Sequence, residues 1–361
     1  MNNNHNFTEG EILRPMLTFR GPVLLAMFLQ SLYGAVDLMV VGKFAEAADA
    51  SGVNTGSQVM MMLTFVVTSF SMAVTILMGQ HIGEKSPEKA GDVIGTGIIM
   101  FAVMAIAMTF AGVMFAPEIA AGLKAPRDAF NQTVSYIRVC SSGFVFIIAY
   151  NVMSGVFRGV GDSVMPLISV TIASVFNIIG DLFFVKGMGM GAKGAAIATV
   201  MAQVISVILS MFIISKRKMP FILTKDKLRI DKSIAKRIFS LGTPLLLQDI
   251  LVSVSFLFLL AITNSRGVIV SAGVGIAEKL CGFIMLVPSA FSQSVSAFVA
   301  QNVGARRMDR ANKALKYAIA VSVCVGLVIA YVAYFHGDIL CEIFSDDPAI
   351  IAAAWEYLKA Y

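Results

Sequence analysis

The segment "GQHIGEKSPEKA" (Gly79–Ala90) returns 221 residues later as "AQNVGARRMDRA" (Ala300–Ala311), and this recurrence decides the fold of the chain. The two segments share a Gln-x-x-Gly turn followed by charged residues. An internal repeat of this length indicates that the chain contains two copies of one structural unit. Further residues that coincide at the same offset are Gly21 with Gly242, Gly52 with Gly273 and Tyr136 with Tyr357.

The composition of the chain is that of a membrane protein. Its 361 residues are 57% hydrophobic and 14% charged, and the mean hydropathy is +0.81. Soluble proteins are about 45–50% apolar and about 25% charged. The apolar residues form runs of about 20, which is long enough to cross roughly 30 Å of hydrocarbon. We therefore predict an all-α polytopic membrane protein that is surrounded by the lipid bilayer.

Nine membrane spans are predicted, and a tenth helix begins near residue 350. Six spans separate equivalent points of the repeat, so both copies have the same orientation and form two parallel six-helix lobes. The second lobe stops inside its fourth helix, so we expect most of three further helices to be absent. The predicted domains are 1–215 for the N-lobe, 216–237 for a basic linker and 238–361 for an incomplete C-lobe. The predicted spans are 15–42, 52–80, 92–116, 132–157, 164–186, 192–215, 238–264, 272–301 and 311–336.

Basic residues mark one side of the predicted membrane. They are concentrated in the N-terminal segment, the even-numbered loops and the linker, and they are sparse in the odd-numbered loops. Since positive charge marks the cytoplasmic side, the N-terminus is predicted to be cytoplasmic. The net charge of +6 then follows from topology, so no nucleic-acid partner is expected and the linker is interpreted as a solvated loop. The four cysteines and three histidines lack the spacing of a metal site or a disulfide framework.

Four polar side chains lie at a similar depth in three predicted spans. Asp37, Asp181 and Thr199 are each five or six residues from a flanking lysine, which places them about 8–9 Å below the outer boundary. Asn177 lies one turn deeper on the same helix face as Asp181. Oxygen-bearing side chains at one depth could hold a hard cation or a proton. The alternative is that each aspartate binds a neighbouring hydroxyl or lies in a crevice at headgroup level.

Asp249 lies near the middle of the seventh predicted span, beside Gln248. It is twelve residues from Arg237 and seventeen from Arg266. Because an acid at this depth does not face lipid, we expect Asp249 and Gln248 to line a cavity for a cationic ligand. The alternative is that Asp249 accepts a hydrogen bond from a hydroxyl of the eighth span.

Two short motifs resemble catalytic signatures without the context that those signatures need. "GMGAKG" (Gly189–Gly194) has dinucleotide-binding spacing, but it follows a membrane span and is interpreted as a tight outer turn. "GVGD" (Gly159–Asp162) is similar to the GxGD of intramembrane proteases. Asp162 is predicted to be a solvated acid in a loop, so that activity would require Asp162 to enter the bilayer. No enzyme activity and no cofactor are expected.

The order and spacing of several segments resemble those of multidrug and toxic compound extrusion (MATE) transporters. This resemblance covers essentially the whole chain and includes the two Gln-x-x-Gly turns. Its other segments are "YGAVDLMVVG" (Tyr33–Gly42), "GVFRGVGDSVMP" (Gly155–Pro166), "NIIGD" (Asn177–Asp181) and "GAKGAAIATVMAQ" (Gly191–Gln203).

The resemblance implies twelve helices in two lobes and export of small organic cations in exchange for Na⁺ or H⁺. It places an N-lobe cation site on Asp37, Asn177, Asp181 and Thr199. A glutamate that some members carry in the seventh helix would fall near Val252, where this chain has no acid. We expect a monomer that crosses the plasma membrane several times, and we expect poor transport without the three absent helices.

The alternative function is that of a lipid-linked glycan flippase with the same architecture. A pyrophosphate cargo should require several arginines in the cavity. Among the basic residues, Arg138 and Lys279 approach the predicted spans, and both lie near outer ends. The sequence therefore favours a cationic cargo.

Overall fold

The computed structural model of the chain describes residues 7–264, 266, 268–345 and 347–360. Within these residues the chain forms twelve α-helices and no β-strand. The helices are α1 (Leu13–Phe44), α2 (Ala47–Gly83), α3 (Pro87–Met114), α4 (Ala116–Gly122), α5 (Phe130–Ser142), α6 (Phe144–Val160), α7 (Val164–Asp181), α8 (Gly191–Lys216), α9 (Lys232–Asn264), α10 (Val268–Gly304), α11 (Met308–Glu342) and α12 (Pro348–Ala360).

The membrane-spanning helices agree with the predicted spans. In the described part of the chain, eight helices are long and apolar enough to cross a membrane, and α5 with α6 makes a ninth. The fourth predicted span is present but bent, because α5 and α6 meet at an angle of 52°. The break lies at Gly143, where a Cβ atom would overlap the side chain of Val200 on α8. A glycine that packs tightly against α8 therefore gives this kink an identifiable cause.

The bounds of the helices reproduce the repeat. Helix α10 begins and ends 221 residues after α2. The turns that follow these two helices also match, since Lys85 and Arg306 have positive φ angles of 55° and 57°. We call α1–α8 the N-lobe and α9–α12 the C-lobe. A superposition of residues 21–90 on 242–311 by a two-fold rotation about the membrane normal stays a prediction.

The segment between α8 and α9 lies against α3. The backbone N–H of Ile222 donates to the carbonyl of Pro87 at 3.1 Å, and the Lys227 ammonium donates to Asp92 Oδ1 at 3.1 Å. A Cβ atom on Gly95 would overlap the Lys227 carbonyl oxygen. The linker is largely exposed, as predicted for a solvated loop, but its backbone also packs along a helix of the N-lobe. We call the side of the protein that carries this linker the linker face.

Replacement of Gly95 by alanine is expected to displace the linker and to lower the melting temperature of the protein in detergent. Overpacking of a close contact costs about 1–3 kcal/mol. The freed linker should also be cleaved faster by trypsin at Lys225. Gly97→Ala on the same helix is the matched control, since its Cβ would lie 3.8 Å from the Val74 side chain, an ordinary contact. Equal melting temperatures and cleavage rates for the two variants would contradict this role of Gly95.

Candidate functional site

A pair of buried carboxyl groups lies inside the N-lobe. Asp37 on α1 is 4% exposed, and Asp181, the last residue of α7, is fully buried. The two carboxyl groups face each other within hydrogen-bonding reach. Both oxygens of Asp181 and Oδ1 of Asp37 accept no hydrogen bond from the part of the chain that the structure describes. Buried polar groups in this state are costly, and a proton or a cation between the two carboxyl groups would lower that cost.

The other two predicted site residues lie beside this pair. Asn177 is fully buried one turn before Asp181, and its Nδ2 lies 3.4 Å from Thr199 Oγ1 on α8. Its Oδ1 accepts no hydrogen bond from the described residues. Close packing of α7 on α8 makes this contact possible, because a Cβ atom on Gly180 would lie 2.9 Å from Ala198 Cβ. The structure thus brings Asp37 to Asp181 and Asn177 to Thr199.

Tyr136 is a site residue that sequence reasoning did not assign. It is 3% exposed on α5, and its hydroxyl lies near the Asp37 carboxyl group. Gly56 on α2 makes room for the ring, since a Cβ atom there would overlap it. A signal was present in the sequence, because a tyrosine hydroxyl in an apolar span needs a polar partner.

The polar site continues towards the linker face. Gln203 lies one turn after Thr199 on α8, and its Nε2 lies 3.4 Å from the Tyr33 hydroxyl. Tyr33 lies on α1, one turn before Asp37. Gln203 Oε1 is buried and accepts no hydrogen bond within the described chain. The site is therefore an oxygen-rich region between α1, α7 and α8 rather than two isolated acids.

The backbone changes its winding where the site ends. Directly after Asp181 the helix continues as a π-helical turn over Leu182–Gly187. Such turns are rare and occur frequently at functional sites. The glycine-rich segment that follows has positive φ angles at Gly189 (64°) and Gly191 (52°), and the Ala192 N–H donates to Asp49 Oδ1 at 2.8 Å. These contacts confirm the predicted tight turn before α8.

Asp249 lies on the seam between the lobes. It is half-buried on α9, and its Oδ2 accepts a hydrogen bond of 3.0 Å from Ser69 Oγ on α2. The hydroxyl that binds it therefore belongs to the N-lobe and not to the eighth span, so the alternative partner is wrong. Its neighbour Gln248 is exposed. Val252, near the position of the family's seventh-helix glutamate, is exposed and apolar.

Asp162 is buried rather than solvated, which corrects the prediction for this residue. Its Oδ1 accepts hydrogen bonds from the backbone N–H groups of Val164 and Met165 at the start of α7. Its Oδ2 pairs with the Arg217 guanidinium at 3.1 Å. Asp162 therefore joins α7 to the end of α8 at the linker face, outside the bilayer centre, and it is not the acid of an intramembrane protease.

Comparison of the sequence with models of known protein families identifies the family of this chain. The MatE family model matches residues 22–183 and 244–361. The chain belongs to the MatE family. Members of this family are transporters and not enzymes, and they need no cofactor, so the resemblance found in the sequence is confirmed. This MatE chain is accordingly a multi-pass membrane protein.

Relatives and solved structures agree with this assignment. The chain is 25% identical to the probable multidrug resistance protein YoeA of Bacillus subtilis, across 97% of this chain and 79% of that protein. It is 23% identical to the multidrug export protein MepA of Staphylococcus haemolyticus, across 98% of this chain and 78% of that one. Both relatives carry names that describe drug resistance or drug export.

Two solved structures show the same fold. One is a MATE protein in complex with MaD3S, with a TM-score of 0.91, 19% identity, and coverage of 99% of this chain and 80% of that one. The other is a MOP superfamily transporter from Pyrococcus furiosus whose binding pocket is described as having reverse polarity. It gives a TM-score of 0.89 at 20% identity, with 99% of this chain and 80% of that chain covered. At these identities the similarity establishes the fold of the chain.

Proposed function

We propose that this MatE protein is a secondary antiporter that exports small organic cations in exchange for Na⁺ or H⁺. The observation that carries the proposal is the buried Asp37–Asp181 pair, together with its oxygens that accept no hydrogen bond in the described chain. Two carboxylates in a poorly hydrated pocket cannot both remain ionised at low cost. Either a shared proton or a sodium ion removes this cost.

The donor set suits either coupling ion. Carboxylate, amide and hydroxyl oxygens from Asp37, Asp181, Asn177 and Thr199 are ligands that hard cations prefer. In the described residues no three His, Cys, Asp or Glu side chains converge, so these ligands favour an alkali ion or a proton over a transition metal. Occupancy of the site would change the charge between α1 and α7 and so shift the balance between conformations of the N-lobe.

An ion-gradient experiment tests the proposed function. Proteoliposomes containing the protein in the twelve-helix form that the family resemblance implies are given a Na⁺ gradient or a pH gradient, and uptake of a fluorescent organic cation is recorded. Accumulation driven by one gradient identifies the coupling ion. No accumulation with either gradient, from protein that binds the dye and is correctly folded, would contradict antiport.

The location of the protein follows the same proposal. An exporter of toxic cations works at the plasma membrane, with the basic linker face and the N-terminus in the cytoplasm. We propose a monomer, because both lobes and the site belong to one chain.

Asp249 supports a cationic cargo. Its carboxylate lies where the lobes meet, and its contact with Ser69 leaves the other oxygen for a ligand. One transporter with this fold has a binding pocket that is described as reversed in polarity. The fold therefore does not fix the charge of the cargo, and the side chains of this chain have to indicate it.

Replacement of Asp249 by asparagine is expected to weaken the binding of organic cations about tenfold, which corresponds to about 1.4 kcal/mol. Asparagine keeps an oxygen that accepts the Ser69 hydrogen bond and removes the charge. Binding is measured by fluorescence titration with ethidium and with an uncharged dye of similar size. The affinity for the uncharged dye should not change. Equal losses for both dyes would indicate a structural role for Asp249.

One observation favours the flippase alternative. Arg20 on α1 stacks on the Phe291 ring of α10 at 4.0 Å, and its Nε and Nη1 atoms are buried without a hydrogen-bond partner among the described residues. A guanidinium at the seam between the lobes could bind an anionic headgroup. Binding of a pyrophosphate-linked lipid by the wild type, together with its loss in Arg20→Gln, would support this alternative over the export of cations.

A further inference from the structure

The two lobes contact each other at the linker-side ends of α2 and α10, and glycines lie at the contact. A Cβ atom on Gly83 would overlap the Gln301 carbonyl oxygen, and a Cβ atom on Gly304 would overlap the Gln80 carbonyl oxygen. Gly83 and Gly304 are equivalent residues of the repeat, as are Gln80 and Gln301. The contact is therefore reciprocal, since each helix end places its glycine against the backbone of the other.

The side chains of the same two glutamines also cross between the lobes. Gln80 Oε1 on α2 accepts a hydrogen bond of 2.8 Å from Arg237 on α9. Gln301 Nε2 on α10 donates to the Gly159 carbonyl on α6 at 2.9 Å. Both bonds join the lobes beside the paired glycines, and Gln301 is buried. The two equivalent glutamines thus each make a hydrogen bond to the opposite lobe, although their partners differ.

The local backbone does not explain these glycines. The glycines with positive φ angles in the described chain are Gly10, Gly161, Gly189 and Gly191, so Gly83 and Gly304 have conformations that alanine can adopt. Alanine is also the better residue in a helix, by about 1 kcal/mol. The absence of a side chain at these two positions therefore matters for the approach of the other lobe.

From these contacts we propose that Gly83, Gly304, Gln80 and Gln301 form a latch that closes the linker-side end of the pathway between the lobes. This inference rests on the proposed function, because exchange through a central cavity requires each end to close in turn. The latch acts as a set of positioning residues: it determines how closely α2 and α10 approach and binds no cargo itself. The structure shows the latch closed.

The test measures the distance between the lobes and does not use transport. Spin labels are attached at Glu88→Cys and Asp309→Cys, which are exposed, equivalent positions at the starts of α3 and α11. The exposed Cys324 is replaced by serine, while the other three cysteines are buried and stay. Distances are recorded by pulsed electron resonance on the purified protein in lipid nanodiscs.

In the Gly83→Ala/Gly304→Ala double variant we expect the short-distance population to fall about tenfold relative to the parent, because overpacking opposes closure. Gly282→Ala on α10 is the matched control, since nothing lies within 4 Å of its Cβ position. An unchanged distance distribution in a folded double variant would overturn the proposal. If the variant were merely less stable, its melting temperature would fall while the short-distance population stayed the same, and this result would overturn the proposal.

A second variant removes the hydrogen bonds without adding bulk. Gln80→Ala/Gln301→Ala should also shift the distances towards the open state, even if the glycine variant fails to fold. An unchanged distance distribution in this folded variant would also refute the latch. The distance measurement does not depend on an ion gradient. If antiport were disproved, the variants could still shift the distance between the lobes, so failure of the proposed function and failure of the latch can be distinguished.

Discussion

In the twelve-helix form that the family resemblance implies, Asp37→Asn and Asp181→Asn are each expected to abolish ion-driven export of organic cations while the protein still folds and reaches the membrane. Each change removes one carboxylate from the buried pair, so the site loses a ligand for the coupling ion and the remaining acid no longer meets the repulsion of a second charge. With both of these contributions to ion binding removed, an ion gradient loses its means of shifting the conformation of the N-lobe. Export should fall to the level of cells that lack the protein.

The control for this experiment is Asp128→Asn, an exposed acid in the 3-10 turn (Arg127–Ala129) that precedes α5. A second readout does not depend on transport. A ligand present at 100 times its dissociation constant stabilises a protein by about 2.7 kcal/mol, so the coupling ion should raise the melting temperature of the wild type and of Asp128→Asn. The same ion should not raise it in either site variant. Full export by Asp37→Asn or by Asp181→Asn would contradict this prediction and would show that the aspartate has only a structural role.

The largest loss of stability is expected for Asp162→Ala. This change removes the hydrogen bonds to the start of α7 and leaves the Arg217 guanidinium without its partner. Loss of a helix cap costs about 1 kcal/mol, and breaking a buried ion pair costs about 3–5 kcal/mol. Because the Arg217 side chain is 37% exposed, water recovers part of its solvation, and a total of about 3 kcal/mol is expected.

Asparagine at the same position separates the two contributions. Asp162→Asn keeps an oxygen for the α7 amides and removes the charge, so it should cost about 1 kcal/mol. The free energies of unfolding of both variants are measured by denaturant titration in detergent micelles. If alanine and asparagine were equally destabilising, the cap would contribute nothing and this account of Asp162 would be wrong.

Sequence reasoning located the principal acids of the candidate site, although it could not show their contacts. Depth counted from flanking lysines placed Asp37, Asp181 and Thr199 at one level, and the structure brings Asp37 to Asp181. Depth fixes one coordinate of a residue, whereas contact also depends on the rotation of each helix. For that reason Tyr136 was not assigned to the site.

Two segments make contacts that their composition did not predict. The linker is largely exposed, as its basic composition predicts, but Gly91 and Gly95 also allow its backbone to pack on α3. Asp162 was interpreted as solvated because it lies in a loop, yet its carboxylate is buried and pairs with Arg217, the residue that follows α8. Composition describes the segment itself and carries no record of what packs against it.

The sequence by itself determined the class of the protein, its spans and its repeat. These properties depend on hydrophobicity summed over about 20 residues and on one constant offset, both of which can be read along the chain. The tertiary structure alone decided which polar groups meet, such as Asp249 with Ser69, and where the lobes touch at Gly83 and Gly304. Such contacts join residues far apart in the chain, and they depend on helix rotation and close packing, which leave no periodic pattern in the sequence.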